Sequence, residues 1–294
     1  MKVVRSPGLL ACRPRAVAIG MFDGLHRGHQ AVVGAVLGTE LVPTVVTFDP
    51  HPRETLGYGV ELLTTLERRL ELLAALGIEE VLVVEFTQEV AALSPERFAE
   101  AAILAAGAEV VVAGAGFRFG AGRSGDLETF ERLGAATREV ALVPGVSSTE
   151  IRRLAAEGDV RGAAAMLGRP HEVRGTVERG DARGRELGFP TANVGVPANI
   201  CLPVDGVYAG TFEGADGVSR PAAISAGRRP TFYAEAGMFL VEAYVLDFAG
   251  DLYGQQARVR FTHRLRGQER FDSVDDLIAQ MGRDVERVRV LSRA

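Results

Sequence analysis

Between residues 15 and 144 short β-rich runs alternate with helical patterns, and few folds accommodate that alternation. The runs are AVAIG, VPTVVTF, EVLVVEF, EVVVAGAGF and REVALVP, separated by segments such as TTLERRLELLAALG and SPERFAEAAILAAG. A strand covered by crossover helices on both faces reads as a continuous apolar run, so the spacing predicts an α/β doubly wound parallel sheet. Helix punctuation agrees. Ser94 with Pro95 reads as a cap and first-turn proline, Ser147 with Glu150 as a capping box, and Gly77, Gly107 and Gly158 as stops. Ligands of such sheets bind beyond the carboxyl ends of the strands. The unusual loops fall there: GMFDGLHRGHQ, DPHPRE, FRFGAGRSGD and GVSSTEIRR are expected to converge on one cleft.

Near Gly168 the texture changes to short alternating runs bounded by glycine and proline, including HEVRGTVERG, GVYAGTFEG, RPAAISAG, FLVEAYVLDF and QARVRFTHRLR. These predict a small antiparallel β-barrel. The segment SVDDLIAQMGRDVERVRVL then returns to helical period behind a serine cap, so a C-terminal helix should close the barrel. Two domains are expected, 1–168 and 169–294.

Composition excludes several function classes. A formal net charge of −5 lacks the basic excess by which proteins hold nucleic acid. Cys12 and Cys201 stand far apart, so neither a disulfide framework nor a cysteine zinc site is suggested, and a cytoplasmic setting fits. Pro7, Arg13, Pro14 and Arg15 interrupt the start of the chain before a signal-peptide core accumulates, and no run has the length of a membrane span. Lys2 is the only lysine. A bias toward arginine codons accounts for that, but whatever its cause it removes P-loop, protein-kinase and Schiff-base chemistry, each of which needs a placed lysine. Any ATP must be held by backbone N–H groups, helix N-termini, histidine, arginine and metal.

His26 and His29 sit where the first run gives way to a helix beginning near Gly28, so both imidazoles can face the anion-attracting first turn. Phosphate binding, a metal pair and ordinary loop polarity all remain open, although zinc lacks a third ligand at a fitting spacing. In the second half, the glycines at 175, 180, 184 and 188 allow close backbone approach, and Thr191 and Asn193 can point oxygens to one side of an extended segment. Glu242 reads by itself as a solvent-facing strand carboxylate, as do Asp247 and Asp251. His263 reads as an ordinary barrel residue. Arg183 and Arg185 are either solvated or triphosphate contacts.

GMFDGLHRGHQ, TFDPHPRE, FRFGAGRSGD and SSTEIR, in that order, resemble the N-terminal module of bacterial bifunctional riboflavin kinase/FAD synthetases, a nucleotidyltransferase fold. GTVERGDARGRELGFPTANV, RRPTF, VEAYVLDFAGDLYG and RGQERFDSVDDL resemble the riboflavin kinase module of the same family. The resemblance implies that the barrel makes FMN from riboflavin and ATP, and that the N-terminal domain makes FAD from FMN and ATP, both with Mg²⁺. It implies that His26 and His29 act on the ATP phosphates, with Gly20, Asp23, Gly24 and Gly28 shaping that ATP loop and Ser148, Thr149 and Arg152 closing on the triphosphate. Phe48, Pro50, His51, Phe117 and Arg118 would contact flavin; Gly175, Gly180 and Gly184 would cradle ATP; Thr191 and Asn193 would hold the metal; Glu242 would be the base. The expected partners are these small molecules, with no nucleic acid and no membrane, in a monomer or weak homo-oligomer. One departure stands out: Gly116 occupies a position where the family usually has aspartate or asparagine. It motivates a second reading, a riboflavin kinase with a degenerate or altered-acceptor nucleotidyltransferase module. A third reading, a non-catalytic flavin-binding regulator, has no use for a base or a metal anchor.

Overall fold

The computed structural model describes residues 1–179, 184, 187–227 and 238–293. Its contacts divide the chain into two compact units, Met1–Ser148 and Thr149–Ala294. The texture change at Gly168 coincides with the left-handed cap of the helix Val160–Leu167. The second unit takes in that helix and nearly all of the preceding one, Ser148–Glu157.

In the first unit six strands form one sheet: β1 (Lys2–Val4), β2 (Arg15–Ile19), β3 (Val42–Asp49), β4 (Glu80–Glu85), β5 (Ala108–Gly114) and β6 (Ala136–Val140). They run in the order β1-β4-β3-β2-β5-β6, every pair parallel. The expected doubly wound sheet is present; the short β1, not expected from sequence, extends one edge. Along β2 the apolar residues sort by parity. Val17 and Ile19 join a core with Phe98, Ile103 and Phe130, while Ala16 and Ala18 join another with Val33, Val36 and Leu73. Both faces of the strand are thus buried. The chain reverses direction across the sheet between β2 and β5, which opens the crevice at their carboxyl ends.

At the opposite end of β2, Arg15 is 1% exposed and donates Nε to Glu80 Oε2 at 2.7 Å. Its remaining donors reach the carbonyls of Ala11, Arg13 and Ala106. Burial pushes the Glu80 carboxyl up, but the hydrogen bonds from Arg15 and Arg13 outweigh it and hold the pKa below its ordinary value. Stability from this pair is therefore present above the ordinary glutamate range and lost as pH falls through the lowered value. Glu80→Ala strands a buried guanidinium and should cost about 3–5 kcal/mol, read as an earlier urea midpoint for the first unit.

The second unit is a closed antiparallel barrel of β7 (His171–Glu178), β8 (Thr191–Pro197), β9 (Gly206–Glu213), β10 (Ser219–Ala226), β11 (Met238–Val245) and β12 (Gln256–Arg266), ordered β10-β11-β8-β7-β12-β9. Ala192, Val194, Val241 and Ala243 are buried, and the alternate residues on the same strands face outward. The C-terminal helix Val274–Leu291 begins at Ser273, whose Oγ accepts from Asp276 N. It lays Val285, Val288 and Leu291 against Val207 and Ala209 of β9. The outward residues beside that helix are covered without being inside the barrel.

Candidate active sites

In the first unit the loop after β2 turns directly into the helix Arg27–Leu37. His26 is its N-cap: Nδ1 accepts from His29 N at 3.2 Å. An accepting Nδ1 carries no proton, so the neutral ring keeps its proton on Nε2 as a donor. The His29 ring stacks on it at 3.6 Å between centroids, 16° from parallel, with Phe22 edge-on at 5.4 Å. Gly28 suits this stack, since a Cβ there would lie 3.2 Å from the His26 ring and push it by a few tenths of an ångström. Burial, then the neighbouring His26, then Arg69, push the His29 pKa well below its ordinary value. A His29 ring held neutral beside a helix N-terminus can offer hydrogen bonds to an anion without needing a counter-charge.

Two neighbours hold the loop in place. The 2%-exposed Asp23 carboxylate accepts from Leu63 N at 2.9 Å and Thr64 N at 3.1 Å. Thr64 Oγ1 accepts in turn from Gly24 N at 3.1 Å. Asp23 and Gly24, expected at the ATP, therefore tether the loop. Gly20 packs under the Phe22 ring. Ser148 Oγ donates to the Asp23 carbonyl at 3.0 Å, and Thr149 and Arg152 follow on the same helix.

Beside the loop lies an apolar pocket of about 440 Å³ lined by Gly20, Met21, Phe48, Phe86, Phe98 and Phe117, with Arg53, Arg118 and Arg123 among its remaining walls. Phe48 meets Phe86 edge-on at 5.6 Å, and Phe117 stacks on Phe119 at 5.6 Å. Of the expected flavin contacts, Phe48, Phe117 and Arg118 line this pocket, while Pro50 and His51 do not. His51 instead caps the short helix Pro52–Thr55, its Nδ1 accepting from Arg53 N at 3.1 Å. Gly116 has φ +74°, the left-handed region that glycine, asparagine and aspartate tolerate best, and its N–H donates to Glu139 Oε1 at 3.2 Å.

In the second unit, strand register assembles the other site. Glu242 on β11 lies directly across from Asn193 on β8 and from Ser225 on β10. Glu242, Ser225, Thr191 and Gly184 line a pocket of about 400 Å³ whose far wall is Phe271 with Leu277, Met281 and Asp284. Glu242 thus points outward from the barrel and stays exposed, on the wall of a pocket that it shares with the C-terminal helix. Thr191 also lines a second pocket of about 420 Å³ formed by Val177, Arg179, Phe248, Asp251 and Tyr253. There the Arg179 guanidinium lies over the Tyr253 ring at 5.4 Å. Gly175 lines neither pocket; a Cβ would fall 1.6 Å from the Gly195 carbonyl oxygen, so the glycine is required by strand packing. Gly180, Arg183, Arg185 and the RRPTF segment lie outside the described residues.

Three participants were not expected from sequence. Arg266 donates Nε and Nη2 to the 6%-exposed Asp284 at 3.0 and 2.8 Å, joining β12 to the C-terminal helix at the pocket wall. Arg69 is buried behind the histidine loop. Among the described residues no cluster of three or more His, Cys, Asp or Glu forms a metal site, and no helix is long and apolar enough to cross a membrane.

A doubly wound sheet with a histidine-capped crevice, followed by a barrel whose two pockets share one threonine, defines a two-unit nucleotide-dependent transferase. Residues 11–153 match the FAD synthetase family model and residues 167–292 the riboflavin kinase model. The bifunctional riboflavin kinase/FMN adenylyltransferase of Listeria monocytogenes is 36% identical, covering 94% of this chain and 91% of its own. That of Escherichia coli K12 is 34% identical, covering 97% and 96%. A crystal structure described as a macrolide-efflux protein from Streptococcus pneumoniae aligns with a TM-score of 0.87 at 30% identity over 98% of both chains. The chain belongs to the bifunctional riboflavin kinase/FMN adenylyltransferase family.

The lowered basicity of His29 has a measurable consequence. An unfolded His29 takes a proton near its ordinary pKa of 6.5 while the folded one resists until well below it, so the first unit loses stability as pH falls through 6.5. The melting temperature of the first unit should drop between about pH 7 and pH 5, and His29→Asn should flatten that drop; an unchanged slope would show that His29 is not the group titrating.

Proposed function

We infer that the second unit transfers the γ-phosphoryl group of ATP to the terminal ribityl hydroxyl of riboflavin, and that the first transfers the adenylyl group of a second ATP to FMN. The observation that carries this reading is Thr191, which lines both barrel pockets beside a carboxylate on the facing strand pair. We assign the two steps to residues 169–294 and 1–168.

In the kinase step, the pocket holding Glu242 takes the flavin ring between Phe271 and the helix side chains, and the Arg179–Tyr253 pocket takes the nucleotide. Glu242 accepts the hydroxyl proton as the oxygen attacks γ-phosphorus, and ADP leaves. Thr191 and Asn193 present oxygen donors on the outward side of β8, with Asn193 across from Glu242. Hard oxygen donors shared with phosphates suit Mg²⁺, so these two residues would hold it, where it would neutralise phosphate charge.

In the adenylyl step, an FMN phosphate oxygen attacks the α-phosphorus and pyrophosphate departs, with no protein nucleophile. The chain supplies alignment and hydrogen bonding: the aromatic pocket fixes the flavin, and the helix N-terminus with His26 Nε2–H meets the phosphoryl oxygens. Arg152, Thr149 and Ser148 would add contacts to the triphosphate.

Glu242→Gln should lower FMN formation at least about 1000-fold while FMN-to-FAD conversion stays within about twofold, and His29→Ala should do the reverse. Separate assays from riboflavin and from FMN decide it. Equal damage to both activities in a folded variant would contradict the division of labour.

A further inference from the structure

Arg69 is 1% exposed on the helix Leu66–Ala75, one turn before the fully buried Leu73. A guanidinium on a buried face costs several kcal/mol in desolvation unless it is used, and an aliphatic side chain would pack there more cheaply. Among the described residues no carboxylate lies within ion-pairing distance of Arg69; Asp23, Asp49 and Glu67 act on it only at longer range, and its Nε has no hydrogen-bond partner. What it does make is a fork. Nη1 donates to Thr47 Oγ1 at 3.2 Å and to the Phe48 carbonyl at 3.1 Å. The Thr47 hydroxyl passes the interaction on, donating to the Met21 carbonyl at 3.0 Å.

The two ends of this relay are the two surfaces that must be registered for adenylyl transfer. Met21 opens the histidine loop, and the Phe48 ring is a wall of the aromatic pocket. We propose that Arg69 is a positioning residue for the adenylyl step: it anchors the end of β3 and orients the Thr47 hydroxyl that ties β3 to the histidine loop, and so fixes the flavin pocket against the phosphate-binding turn. The proposal rests on the adenylyl-transfer reading above. Arg69 touches neither substrate in this account. Its proximity also contributes to keeping His29 neutral.

The test compares Arg69→Met, Arg69→Lys and Thr47→Val in the full chain, with FMN adenylylation and riboflavin phosphorylation measured on the same preparations. A misalignment near 1 Å costs on the order of 100-fold in rate. Arg69→Met should therefore lower kcat for FAD formation by about 30-fold or more while KM for FMN moves less than about threefold. Arg69→Lys keeps the charge but not the fork, and should fall between. Thr47→Val keeps Arg69 and its bond to the Phe48 carbonyl, removes both the Arg69–Thr47 bond and the link to Met21, and should lower kcat about tenfold. Riboflavin phosphorylation should be unchanged in all three.

If Arg69→Met fails to fold, Thr47→Val, which replaces one hydroxyl by a methyl of similar size, decides the matter. Folded variants with wild-type kcat, or losses that match only the unfolded fraction measured by circular dichroism, would overturn the proposal. Absence of FAD formation by the unsubstituted chain would overturn the adenylyl-transfer reading itself, and this proposal with it.

Discussion

A strand packed by helices on both faces has no room for a reactive side chain along its length. In the first unit that constraint leaves the ends of the strands as the only place for chemistry, and the chain spends its glycines, histidines and short caps there. β2 is apolar through its whole described length apart from Arg15, which lies at the end opposite the crevice and is consumed by Glu80 and three carbonyls. In the barrel the constraint is relaxed. Each strand has one buried face, so Glu242, Asn193 and Thr191 can stand on the other without opening the core.

The same contrast explains how each site is held. The histidine loop is not part of a hydrogen-bonded ladder, so it is tied by side chains: Asp23 to the backbone of Leu63 and Thr64, Ser148 to the Asp23 carbonyl, Thr47 to Met21. The barrel site needs fewer ties because strand register already sets Glu242 opposite Asn193. What it needs is a roof, and the Arg266–Asp284 pair fastens the C-terminal helix in that position.

Much of this was legible in the sequence. Five of the six parallel strands were marked by apolar runs, and Ser94 caps its helix as expected, its Oγ accepting from Arg97 N. β1 was missed because three residues carry no periodicity; its pairing with β4 alone makes it a strand. Arg69 was hidden for a different reason. It sits in ERRLELL, where two adjacent arginines read as a solvated face, and only the helix's orientation reveals that Arg69 turns inward while Arg68 pairs with Glu71. Asp23 and Gly175 were recognisable as motif residues, but a motif does not say which way a carboxylate turns or which carbonyl passes over a glycine. Glu242 was legible only by resemblance, since its exposed strand position becomes part of a pocket only when a helix far along the chain returns to supply further walls.

The central claim is that one chain carries two successive transfers that meet at FMN. Incubating the protein with riboflavin, ATP and Mg²⁺ and separating the flavins over time tests it most directly. FMN should rise first and FAD follow at its expense. FMN accumulating without FAD, even when FMN and ATP are supplied directly, would contradict it and leave the histidine crevice without the acceptor assigned to it.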